Sequence, residues 1–279
     1  MPIGASARSN HTVSHPVVNA LLLVLVGVAV FGLCLVLRRR RSWAEVDPAP
    51  WSATLSYVAT AYGVIVGFSI IFLFGEFADA RQAVGDEATS IGTAFEEANL
   101  FPESQASIQG ALLCYANSVP EYDWPAMRDG GGAPEVDAAF HDVVVSVGAG
   151  DADPVGALHS ATATNLVNQI GSISTARETR LVAAETEVPF MLWVLLIGGG
   201  LLVVTMIFVV TLSAKPGTQG ALVAAAAVFT LVLMLLVVAL NRPFADAPGR
   251  VSPALIEETA DSMADSLPNP DVVCDEATG

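Results

Sequence analysis

The stretch LSYVATAYGVIVGFSIIFLFG (Leu55–Gly75), followed without a break by EFADARQAVGDEATSIGTAFEEA (Glu76–Ala98), decides the fold. Its first half holds 21 residues and no charge, the length a helix needs to cross a bilayer. Its second half keeps a helical rhythm but turns amphipathic. Phe77, Arg81, Val84, Ala88, Ile91, Phe95 and Ala98 recur at alternating spacings of four and three, which places them on one helical face. The spacing predicts one long helix that leaves the membrane and becomes the wall of an extramembrane bundle.

Outward from this stretch, three more apolar segments complete a four-span pattern: 17–37, 190–212 and 221–240, beside 55–75. At 53% hydrophobic and 14% charged, the 279 residues read as a membrane protein. The division expected is a polar leader (1–16), a first membrane pair (17–75), an acidic helical bundle (76–188), a second membrane pair (189–240) and an acidic tail (241–279). Segment 17–37 is followed by Arg38 to Arg41 rather than preceded by basic residues, so it reads as a retained span and not a cleaved signal. The same run sets the connector 38–54 on the cytoplasmic side, with Trp43 and Trp51 in the interfacial belt. The bundle and both termini are then extracytoplasmic, Lys215 in the turn SAKPGTQG is inside, and a bacterial plasma membrane is the expected location.

Charge is lopsided: 12 Lys+Arg against 28 Asp+Glu, a net of −16. Segment 76–188 alone carries 18 acidic and four basic residues. Such a balance excludes nucleic acid as a partner. His11 and His15 lie four apart but have no third ligand nearby, so no metal is expected, and no cofactor either. The four spans contain no Asp, Glu, Lys, Arg or His, which argues against a proton-coupled transporter. No nucleophile elbow or phosphate-binding glycine loop is present, so no enzyme is expected.

Within the bundle, Ile108, Leu112, Tyr115 and Val119 mark a second helix beginning near Pro102. Residues Glu121 to Met127 (EYDWPAM) read as a break, and 129–134 as a flexible loop. A short helix through Phe140, Val143 and Val147 precedes a long one, capped by Asp153 and Pro154, with the stripe Leu166, Ile170, Ile173, Arg177, Leu181, Ala184 and Val188. Pro189 should kink this helix where it enters the third span. Arg81 and Arg177 interrupt otherwise apolar stripes, with Arg180 beside the second. If the two extensions run antiparallel, Arg81 is level with Ala184 or Glu185, and Arg180 with Asp86 and Glu87, about 9 and 15 Å above the membrane. Cross-helix salt bridges are the expected role; an anion site or gate is the alternative.

Three groups of small residues or cysteines complete the reading. Ala59, Gly63 and Gly67 recur every fourth residue, suited to packing within the chain or to a pore or oligomer face. Gly198, Gly199 and Gly200 offer a close helix contact or a hinge. Cys114 and Cys274 share the predicted outer side and can oxidise together, although the tail position of Cys274 favours free thiols.

The chain resembles the bestrophin-like family, a domain of unknown function with four membrane spans. The residues that carry the likeness are AYGVIVGFSIIFLFGEFADARQAVGDEA (61–88), Tyr115, Glu121 with Trp124-Pro125, the run Ile170 to Leu181, Pro189 with Trp193, and Arg242-Pro243-Phe244 followed by Val251-Ser252-Pro253. The resemblance implies an all-α integral membrane protein, likeness to the anion-channel bestrophins in having a helical bundle, a homo-oligomer in the lipid bilayer, and passive conduction of small ions. Bestrophins keep that bundle in the cytoplasm, whereas the arginines here set it outside, where its charge favours cations. The competing expectation is a non-conducting scaffold or envelope sensor whose acidic bundle binds a partner.

Overall fold

The computed structural model describes residues 16–40, 48–148, 157–186, 188–245, 249–268 and 274. Those residues are mostly helical, with short turns between helices and no strand among them. His11, His15, Arg41, Trp43, Asp153 and Pro154 lie outside the described residues. Three described helices are long and apolar enough to cross a membrane: Ala49–Leu100, Phe190–Ser213 and Pro216–Asn241. A first helix, Pro16–Arg40, contributes a shorter described apolar stretch, Leu23–Arg38.

The chain divides into two units. The first contains α1 (Pro16–Arg40), the opening part of α2 (Pro48–Glu97), α7 (Phe190–Val210) and most of α8 (Pro216–Asn241). Small residues set its packing. A Cβ added at Gly220 would stand 2.7 Å from the ring of Phe31, and one at Gly27 would stand 3.1 Å from Val228, so α1 and α8 touch through glycines. Tyr62 of α2 lies across Gly199 and Gly200 of α7, and its hydroxyl donates to the Leu196 carbonyl at 3.1 Å. Two of the three consecutive glycines therefore serve close contact, whereas Gly198 faces open space. At one end of this unit Arg38 donates to the Ala214 carbonyl (2.6 Å) and to Gln219 (2.8 Å). The fully buried Gln219 in turn donates to the Phe208 carbonyl at 2.9 Å, so α1 ends beside the α7–α8 turn.

The second unit holds the rest of α2, α3 (Gln105–Ser118), a π-helical segment (Val119–Asp123), α4 (Trp124–Arg128), α5 (Pro134–Gly148), α6 (Ala157–Glu185) and α9 (Ala254–Ser266). One apolar core joins them. Val84, Ile91 and Phe95 of α2 meet Ile108 and Leu112 of α3, Val143 of α5, Ile173 of α6 and Ile256 of α9. The C-terminal helix is thus part of the core rather than a separate tail. A disulfide between Cys114 and Cys274, 160 residues apart in sequence, binds the segment beyond α9 to α3.

Three sequence expectations are corrected here. Residues Glu121 to Met127 do not break the chain; a widened helical turn carries it from α3 into α4, the device by which an extra residue is inserted into a helix. Pro102 lies in a turn ahead of α3 rather than in its first helical turn, with Ser104 at the cap position. Pro189 does more than kink: α6 stops at Glu185 and α7 starts at Phe190, because proline lacks an N–H and forces its predecessor out of the helical region.

The glycine contacts give a direct test. Replacing Gly200 by Val sets a Cβ 2.7 Å from Thr230 and 2.9 Å from the Tyr62 hydroxyl. Thermal unfolding in detergent should register a loss of about 1–3 kcal/mol, while Gly198→Ala, in open space, unfolds like the wild type.

Candidate functional site

The charged centre of the second unit is built on α6. Arg177 and Arg180, three residues apart, project from one face of that helix into the core. Arg180 has no exposure at all. Its Nε donates to Glu87 Oε2 at 2.8 Å and its Nη2 donates to Glu87 Oε1 (3.1 Å) and Asp123 Oδ2 (2.9 Å). Its remaining edge meets Met127 Sδ at 3.2 Å, and its plane lies 5.0 Å from the Trp124 ring centre. Arg177 reaches the other side of Asp123, with Nε at 2.9 Å from Oδ2 and Nη2 at 3.2 Å from Oδ1, and also pairs with the exposed Asp137.

Glu87 and Asp123 are both fully buried, and each is saturated. Tyr115 donates its hydroxyl to Glu87 at 2.6 Å, and the Ala133 N–H donates to Asp123 at 2.8 Å. The π-helical turn explains the placement of Asp123: it re-aims that side chain inward between two arginines. Burial pushes the Asp123 carboxyl up, but the hydrogen bond from Arg177, the charge of Arg180 and the Ala133 N–H outweigh it and hold the group below the ordinary range. Burial, reinforced by the Glu87 carboxylate, drives the Tyr115 hydroxyl well above its ordinary value. Burial opposes the charge on Arg180, yet Glu87 and Asp123 prevail and keep it protonated. Donors and acceptors are matched, so this cluster is a closed brace with no group left over to hold an anion.

The sequence pairing is corrected in part. Arg180 and Glu87 are brought together, but Asp86 lies outside the cluster, exposed, where it accepts a hydrogen bond from Gln82 at 3.5 Å. Arg81 is exposed and makes no ion pair among the described residues; neither does Glu185, its expected partner. At this turn of α2 the core face is taken by Phe77, Ala80 and Val84, and Arg81 falls on the flank beside them. Asp123 carries no signal of its own in the sequence, because the Pro-containing run around it reads as a break.

Arg242-Pro243-Phe244 forms a turn whose last two members are buried. Phe244 packs edge-on against Trp124 with ring centres 5.8 Å apart. The Pro243 carbonyl accepts from the Val251 N–H at 2.8 Å, and the Val251 carbonyl accepts from Trp124 Nε1 at 3.4 Å. This turn therefore supports the ring on which Arg180 rests, while Arg242 itself stays exposed.

In the first unit, Gly63 is exposed, Ala59 and Gly67 are half-buried, and a Cβ at either glycine meets nothing within 4 Å. Packing within the chain is not what these glycines serve. No group of three potential metal ligands occurs among the described residues.

An apolar helical unit joined in sequence to a bundle braced by buried charges defines an all-helical membrane protein. A family model, the Bestrophin-like domain, matches residues 21–254, and the chain belongs to the bestrophin-like family. A crystal structure of a bacterial Bestrophin homolog from Klebsiella pneumoniae shares the fold at TM-score 0.70 and 14% identity, covering 88% of this chain and 97% of that one. A point variant of that homolog gives TM-score 0.70 and 15% identity over 87% and 98% of the two chains. No curated protein matches the chain.

Removing one member of the brace leaves a buried charge without its partner. Arg180→Gln should lower the unfolding free energy by about 3–5 kcal/mol, read from chemical denaturation in detergent. The depressed Asp123 adds a pH signature. Its stabilisation is complete above about pH 4, the unfolded value, and is lost as pH falls through the lower folded value. Asp123→Asn, itself destabilised, should lose that part of the acid dependence.

Proposed function

We propose that the protein is a passive ion-conducting subunit of a homo-oligomer, with four membrane spans, an extracytoplasmic bundle and no catalytic role. The observation that carries this reading is a line of residues along α2 that the chain leaves uncovered. Tyr57, Thr60, Val64, Phe68, Ile71, Gly75, Ala78, Gln82, Thr89 and Glu96 are all exposed and follow one another at helical spacings. The line is apolar in its first half and polar to acidic in its second. The change to polar residues beyond Gly75 follows from leaving the membrane; what supports a wall helix is that this side has no cover among the described residues on either stretch. In a wall helix the apolar residues make a constriction that gates by wetting, and the polar ones line the approach.

Charge favours cations. Asp79 and Asp86 flank the line, Glu96 lies on it, and the 76–188 segment has a net charge of −14. An anion entering from that side meets repulsion, and a cation is concentrated there.

Two observations support the orientation. The Cys114–Cys274 disulfide belongs in an oxidising compartment. Arg38 at the end of α1 contacts the α7–α8 turn that bears Lys215, which gathers basic residues at one end of the first unit, as a cytoplasmic end requires.

Purified protein in planar bilayers under a salt gradient should conduct, with a reversal potential shifted toward that of the cation. Phe68→Ala should raise the conductance or the open fraction several-fold. Silence from intact oligomers would favour a scaffold or sensor. In cells, a thiol-reactive, membrane-impermeant probe should label a cysteine placed at Gly131 from outside; labelling only after lysis would reverse the orientation.

A further inference from the structure

We propose that Arg81 is the inter-subunit contact of the oligomer, docking into the acidic groove between α2 and α6 of a neighbouring copy. This deepens the oligomeric reading above and rests on it. The groove measures about 1000 Å³. Asp79, Gln82 and Asp86 line it from α2, and Ser172, Thr175 and Thr179 line it from α6.

The groove lining is rich in acceptors. Ser172, Thr175 and Thr179 each donate their hydroxyl proton to a carbonyl one turn back, at 3.0, 2.9 and 2.9 Å, so their oxygens are left to accept. Asp79 and Asp86 add two exposed carboxylates, and neither is paired with a basic side chain among the described residues. Such a lining calls for a multi-donor cation, and a guanidinium with five N–H groups in a planar fork suits it. Arg81 is such a group. It is exposed, it lies in the same turns of α2 as Asp79 and Asp86, and it has no ion partner among the described residues of its own chain.

Position explains why Arg81 does not fill its own groove. At 100° per residue, Arg81 points about 130° round α2 from the midpoint of Asp79, Gln82 and Asp86. The exposed line of α2 borders the groove at Gln82 and Thr89, and Ala78 lies between that edge and Arg81. A helix that turns one face to a shared axis touches its two neighbours with its two flanks. Here one flank carries the cation and the other the carboxylates. Two different complementary surfaces on one subunit make a heterologous contact, the type that closes rings.

The test is a charge exchange in the full-length protein, read by native mass spectrometry and light scattering in detergent. Disulfide formation between Cys114 and Cys274, seen as a mobility difference on non-reducing gels, reports that each variant has folded. Arg81→Glu alone and Asp79→Arg with Asp86→Arg should each weaken assembly about tenfold or more. The three changes together should restore it. Mixing the two weakened variants should also yield oligomers containing both. If the folded variants assemble like the wild type, or if the combined exchange restores nothing, the contact is overturned while the oligomer stands; a monomeric wild type overturns the oligomer itself. Loss of assembly on adding a divalent cation that binds Asp79 and Asp86 supports the groove as the docking face.

Discussion

A guanidinium with no exposure to water organises the second unit. Burying Arg180 costs several kcal/mol of hydration, which only close carboxylates and hydrogen bonds can offset. Glu87 comes from α2, Asp123 from the π-helical turn and Met127 and Trp124 from α4, so one side chain on α6 ties three other elements to itself. Arg177 extends the same logic to α5 through Asp137, and Tyr115 of α3 adds a second hydrogen bond to the Oε1 of Glu87 that Arg180 already holds. Each charge is tolerable only while the others hold their positions. Apolar surface alone would let these helices slide; a matched set of directional bonds fixes their register.

The first unit solves a different problem. Lipid tails offer no hydrophobic drive for helix association, and packing must come from close approach. Glycines at 27, 199, 200 and 220 provide it, and the Tyr62 hydroxyl adds a single buried hydrogen bond. Gly63 and Gly67, four residues apart, leave open space where a Cβ would stand among the described residues. Their openness, together with the uncovered line on α2, is what directs attention to neighbouring copies.

Much of this was legible in the residues alone. The stripes through Val84, Ile91, Ile108, Leu112, Leu166 and Ile173 all lie in the core, because a 3.6-residue period with apolar side chains has one low-energy use. Counting along the helices also set Arg180 level with Glu87. Arg81 satisfied the same periodicity and proved exposed, since spacing defines a face only to within a residue and Ala80 takes the core position beside it. Asp123 was illegible for a reason of local geometry: Pro120 and Pro125 signal a break, and only a widened turn keeps the chain helical between them. The pairing of Cys114 with Cys274 depended on α9 joining the bundle, a tertiary event with no local signature.

A double-mutant cycle between Arg180 and Glu87 tests the central claim most directly. Unfolding free energies would be measured for the wild type, Arg180→Met, Glu87→Leu and the pair. The brace predicts a coupling of roughly 2 kcal/mol or more, with the pair clearly more stable than the sum of the single losses implies. Additive losses, with no coupling beyond about 0.5 kcal/mol, would contradict it.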